Sequence, residues 1–210
     1  MVKPPKLSPS LSPAVRTRRA YFDFKFGQLH VRTAFPTNGG FDEQVTLFCL
    51  HREQASSRMF ARFLPEIADV RSVYAPDLPG CGESDPSVTA SVAAAAEAIS
   101  DLATELRLRQ IDLLGIQAGA AIALGLAAAR PELVRRLILA QVPSGDRLPK
   151  VSAHALVLRA PQESAEEIAK VKAALPHATF EDLAAYTDDL FDAQPRTLAK
   201  QIGAFLSGRS

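Results

Sequence analysis

The chain has 210 residues, 47% hydrophobic and 22% charged, and a mean hydropathy of +0.03, which suits a single globular domain with a sizeable core. A formal net charge of +1 gives no global electrostatic case for nucleic acid or an anionic membrane surface, no apolar stretch is long enough to span a bilayer, and the N-terminus carries no apolar signal segment. Two cysteines, Cys49 and Cys81, make no disulfide framework, so a reducing cytoplasm is the expected setting.

Met1 to Val15 is rich in Pro and Ser and, with Arg16, Arg18 and Arg19 following, basic; residues 1–17 read as a disordered tail and 18–210 as the single domain. Tyr21–Phe26 and Leu29–Phe35 alternate as a strand pair joined at Gly27-Gln28. Val45–Leu50 is a continuous apolar strand, as in a sheet covered on both faces. Met59–Ala68 reads as helix, Arg71–Ala75 as a short strand, Thr89–Leu106 as an Ala-rich helix, and Ile111–Leu114 as a strand. Gln117–Arg130 is a helix stopped by Pro131. Strands at Leu137–Ala140 and Ala155–Leu158 follow, then a helix at Ala165–Ala174, a strand at Ala178–Leu183 and a closing helix at Pro195–Leu206. Alternating apolar strands and helices predict an α/β fold: a mostly parallel sheet flanked by helices on both faces.

Four segments carry a resemblance. Leu47–His51 is similar to a strand ending in "LLHG". Ala75-Pro76-Asp77-Leu78-Pro79-Gly80-Cys81-Gly82-Glu83-Ser84-Asp85 is close to "APDLPGFGESD". Asp112–Gly119 ends in Gly115-Ile116-Gln117-Ala118-Gly119, and Ala129–Leu139 is the stretch after it. In this order the segments resemble the α/β hydrolase superfamily from about Arg18 to Leu206. The third is its G-x-S-x-G nucleophile elbow with Gln117 in place of Ser. An amide has no ionisable proton and is a very poor nucleophile near neutral pH.

The resemblance implies where the other catalytic groups belong. The acid follows the Ala155–Leu158 strand, which makes Glu163 a shifted candidate; Asp146, after the preceding strand, is the alternative. The family's His falls in a turn that here reads Thr187-Asp188-Asp189-Leu190-Phe191, so Asp188 takes its place. Arg52 stands where relatives have Gly. Only Gln141–Ser152 joins two strands where many relatives insert a helical cap, so no cap domain is expected.

The leading reading is thus a hydrolase-fold protein without a Ser-His-Asp triad that binds a small anionic or carbonyl ligand, or a protein partner, through His51, Arg52, Gln117 and the Ala118 amide. His51 also has a plain reading as a hydrogen-bonder at a strand end. The alternatives are an unorthodox hydrolase acting on a small ester or carbonyl compound, with His51 or Cys81 taking part, and an interaction protein docking through the uncapped site. Cys81 has no electropositive neighbour in sequence and reads as an unreactive thiol. No cofactor is expected, since the chain has no phosphate-binding loop. No metal is expected either: the histidines lack ligand spacing, and Asp188, Asp189 and Asp192 read as an acidic turn.

Overall fold

The computed structural model describes residues 15–37, 44–86, 91–143, 148–183, 187 and 189–208. The strands are β1 (Arg16–Phe24), β2 (Gly27–Phe35), β3 (Thr46–Leu50), β4 (Val73–Pro76), β5 (Ile111–Ile116), β6 (Val134–Ala140), β7 (His154–Arg159) and β8 (Ala178–Asp182). They form one eight-stranded sheet in the order β1-β2-β4-β3-β5-β6-β7-β8. β1 and β2 pair antiparallel with each other, and β2 with β4; every other pairing is parallel. The helices are α1 (Phe63–Ile67), α2 (Val92–Glu105), α3 (Ala118–Ala129), α4 (Ala165–Ala174), α5 (Leu190–Ala193) and α6 (Pro195–Leu206).

The sheet is covered on both faces, and the strand periodicity sorts the side chains. Phe48 and Leu50 of β3 join Ile99 and Leu102 of α2, Leu124 and Leu126 of α3 and Val171 of α4 in one core. Leu47 and Cys49, one residue out of phase, join Phe63 of α1, Phe191 of α5 and Ile202 of α6 in the other. Three aromatic rings, Phe60, Phe63 and Phe191, meet edge to face or tilted in that second core, at centroid distances of 5.1–6.4 Å.

Three of the differences from the sequence reading have a clear local cause. The hairpin turns at Lys25-Phe26, because Phe24 pairs with Gly27; Gly27 starts β2, where a Cβ would fall 2.4 Å from Asp85 Oδ2. β1 begins at Arg16, which pairs with Phe35, so residues 16 and 17 of the expected tail are strand; residues 1–14 lie outside the described residues. The helix expected over Met59–Ala68 is split into a 3-10 turn (Ser57–Phe60) and α1. Pro65 supplies no N–H and its ring displaces the carbonyl four residues back, so a helix restarts with Pro65 in its first turn.

Where the central parallel strands begin lies a buried ion cluster. Asp112, fully buried in β5, accepts two hydrogen bonds from Arg135 (2.6 and 2.9 Å) and one from the equally buried Arg71 (3.3 Å). Burial pushes the Asp112 carboxyl up, and the guanidiniums of Arg135 and Arg71 oppose it. Arg135 also donates to the Leu206 carbonyl, fastening α6 to the sheet (3.1 Å).

Candidate functional site

Parallel strands β3, β5, β6 and β7 all end at one edge of the sheet, and His51, Arg52, Gln117, Ala118 and Glu163 stand at or just past those ends. β5 stops at Ile116, α3 starts at Ala118, and Gln117 alone makes the turn, at φ 50° and ψ −112°. A non-glycine residue held there costs about 1–3 kcal/mol. Its backbone is held on both sides: the Gln117 N–H donates to Ala140 O (3.1 Å), and Gln117 O accepts from Ala120 and Ala121 N–H (2.9 and 3.0 Å). Two glycines make the turn possible. A Cβ on Gly115 would lie 2.4 Å from Gly119 O, and one on Gly119 would lie 2.2 Å from Leu50 O. Helix α3 therefore rides directly on the strand ends. The amides of Ala118 and Gly119 begin that helix and have no carbonyl of their own turn to reach.

Sequence reasoning missed the neighbour of Gln117. Register pairs Ile116 with Ala140, so Gln141, the next residue after β6, stands beside Gln117. Gln141 also has a left-handed backbone, at φ 48°, and its Oε1 is buried without a hydrogen-bond partner among the described residues. The available signal was positional: each of these two adjacent apolar strands is followed at once by a glutamine.

His51, at the end of β3, is braced on both sides of its ring. It is fully buried; its Nε2 accepts the Leu78 N–H (2.8 Å), and its Nδ1 donates to Arg52 O (2.7 Å). Both ring nitrogens are taken, and the acceptor role of Nε2 puts the proton on Nδ1. Burial lowers its pKa, which keeps that neutral tautomer. Arg52, partly buried, follows at the same strand end.

The segment after β4 is a clamp rather than a source of reactive groups. Asp77 accepts the Ser57 N–H (2.6 Å), the Glu83 N–H (2.9 Å) and a contact from His30 Nδ1 (2.9 Å). Burial alone would raise its pKa, but these hydrogen bonds outweigh burial and hold the carboxyl below its ordinary value. Ser84 Oγ accepts the His30 N–H (2.9 Å), and Asp85 accepts the Gln28 N–H (2.9 Å), tying the loop to β2. Cys81 lies within it, and burial, with Asp77 and Glu53 nearby, pushes its thiol pKa up, which leaves little thiolate.

Glu163 follows β7 at the same edge, where its Oε1 accepts the Ala160 N–H (3.2 Å) and burial raises its pKa. Asp146 and Asp188 lie outside the described residues. Two of the chain's histidines, His154 and His177, face each other at 5.7 Å where β7 and β8 begin, on the opposite edge of the sheet from Gln117. Among the described residues no group of three His, Cys, Asp or Glu is placed to hold a metal, and no helix is long and apolar enough to cross a membrane.

The profile of the alpha/beta hydrolase family matches residues 39–209. No curated protein sequence matches the chain significantly. Among solved structures it is similar to a predicted CIB-like hydrolase from Thermoplasma acidophilum, with a TM-score of 0.80 and 16% identity over 92% of this chain and 99% of that one. Haloalkane dehalogenase DbeA from Bradyrhizobium elkani superposes with a TM-score of 0.76 at 16% identity, over 92% and 99% of the two chains. Carboxylesterase CesB from Bacillus subtilis does so at 0.74 and 17%, over 92% of each. Identities this low establish a shared fold.

Proposed function

The chain belongs to the alpha/beta hydrolase family, and on that footing we propose that it binds a small carbonyl-bearing or anionic molecule at the elbow without hydrolysing it. The observation that carries this reading is Gln117 itself. The strained turn that presents a nucleophile is intact at φ 50°, yet the side chain it presents is an amide. The base is lacking in the same sense. His51 has both nitrogens engaged, His30 is buried against Asp77, and His154 and His177 belong to the far edge.

What remains suits recognition. The Ala118 amide at the start of α3, with the positive end of the helix dipole behind it, favours a carbonyl oxygen or a carboxylate. The Gln117 amide adds a donor. Gln141 Oε1, buried and without a partner among the described residues, is an acceptor that a ligand hydroxyl or N–H would satisfy. Donors and an acceptor side by side fit a carboxylic acid, a hydroxy acid or a primary amide. Only residues 141–153 link β6 to β7, and no helix lies among the described residues of that link, which supports a site open to exchange. Both cysteines are free thiols, in keeping with a reducing cytoplasm.

The test is a thermal-shift screen of organic acids and amides, run beside fluorophosphonate labelling and p-nitrophenyl ester turnover. Expected are a stabilising ligand whose effect is lost in Gln141→Leu, no covalent labelling, and no turnover above buffer. Gln117→Ser alone should create no fast esterase, because it restores a nucleophile without a base. Stoichiometric labelling of the wild-type chain would replace this reading with that of a hydrolase.

A further inference from the structure

On the face of the β1–β2 hairpin that packs toward α1, far along the sheet from Gln117, two arginines stand directly opposite each other. Register pairs Arg19 of β1 with Arg32 of β2, between the pairs Thr17–Ala34 and Tyr21–His30. Like charges at directly opposed positions oppose strand pairing. The neighbouring polar groups are engaged elsewhere: Tyr21 donates to Glu83 (3.0 Å), and His30 contacts Asp77 (2.9 Å). Among the described residues no carboxylate forms an ion pair with Arg19 or Arg32, and Arg32 Nε is buried without a partner. The two arginines line a pocket of about 180 Å³ with Thr17, Arg18, Ala61 and Leu64.

We propose that this pocket is a binding site for a phosphoryl dianion, either inorganic phosphate or the terminal phosphate of a small ester. Two guanidiniums match a dianion in charge, and their forked N–H groups match its oxygens in geometry. Arg32 Nε, already withdrawn from water, gains an acceptor when the anion enters. The Thr17 hydroxyl is a further donor at the rim, and Ala61, just before α1, and Leu64, within it, bound the pocket on its apolar side. The like-charge pair, unfavourable in the empty hairpin, becomes a chelating pair around the ligand. The pocket is sized for a headgroup, and it stands on different strands from the elbow, so the two sites are tested independently.

The full chain is titrated with inorganic phosphate by calorimetry and thermal shift at constant ionic strength, with chloride as the control anion. The expected result is a phosphate-dependent rise in Tm that chloride does not give. Arg19→Gln and Arg32→Gln should each weaken phosphate binding by roughly tenfold or more. In phosphate-free buffer both variants should be at least as stable as wild type, because each relieves the like-charge pair. Arg109→Gln, at an exposed position elsewhere, should leave phosphate binding unchanged. Flotation with phosphatidylcholine vesicles containing phosphatidic acid separates the sources: recruitment lost in Arg32→Gln assigns a lipid headgroup, and phosphate binding without recruitment assigns a soluble one. No phosphate effect together with no recruitment overturns the site. So does an effect that survives in the Arg19→Gln, Arg32→Gln double variant, or a marked loss of stability in phosphate-free Arg32→Gln, which would make Arg32 a structural residue.

Discussion

Asp112, one residue into β5, and Gln117, one residue past its far end, are polar groups that the same strand treats in opposite ways. Asp112 is fully buried, and two arginines from outside β5 close around it. Gln117 is partly exposed, sits on a strained backbone, and stands beside a glutamine whose buried carbonyl has no partner among the described residues. One end of the strand is therefore built for cohesion. The other tolerates strain and an unsatisfied acceptor, the pattern expected where stability gives way to recognition.

The largest test of that contrast is Asp112→Asn. Removing the carboxylate takes a buried counter-charge away from both Arg135 and Arg71, which should cost about 3–5 kcal/mol in urea unfolding. Gln117→Ala should stay within about 0.5 kcal/mol of wild type. Comparable losses in the two variants would erase the distinction between the ends.

Next in size is Gly119→Ala. The added Cβ meets backbone, at Leu50 O, rather than a yielding side chain. A destabilisation of about 1–3 kcal/mol is expected, with any ligand effect at the elbow lost as α3 lifts away. A neutral Gly119→Ala would mean that the close seating of the helix on the strand ends is dispensable.

Acid sharpens the comparison at the elbow edge, where the clamp groups titrate. His51 is held below its ordinary pKa by burial, so its contribution is full above about pH 6.5 and falls away as pH drops through its folded value. Asp77 is also held low, so its contribution is present above about pH 4 and is lost as pH falls further, through its own folded value. Urea midpoints followed against pH should show both declines, and Asp77→Asn should flatten the lower one. A lower decline unchanged in Asp77→Asn would mean that Asp77 is not the group responsible.

The smallest effect expected is a gain. Gln117→Gly relieves the backbone strain at φ 50° and should stabilise the fold by up to about 1 kcal/mol while weakening ligand binding at the elbow. A loss of stability instead would show that the Gln117 side chain contributes more by packing than its backbone costs.

Much of this architecture was legible before any coordinates. The helices Ala165–Ala174 and Pro195–Leu206 have the limits their sequence suggests, because Ser164 with Glu167 forms a capping box and Pro195 occupies a first helical turn. The place of Gln117 at a strand-to-helix turn was legible as well, through the resemblance of the ordered segments to the family's elbow, with Gly115 and Gly119 leaving room for the close crossing. These are local signals: propensity, caps, steric room and the period of apolar residues.

Only the tertiary structure decided the rest, and for one reason: each remaining feature depends on which strand lies beside which. The Lys25-Phe26 turn follows from a register that sets Phe24 against Gly27. His51 became a brace because Leu78, remote in sequence, presents its N–H to the ring. Gln141 joined the site through the pairing of β5 with β6, and Arg19 met Arg32 through the pairing of β1 with β2. A side chain's chemistry is written in the sequence; whether it is satisfied, strained or left open is set by the neighbours that folding brings to it.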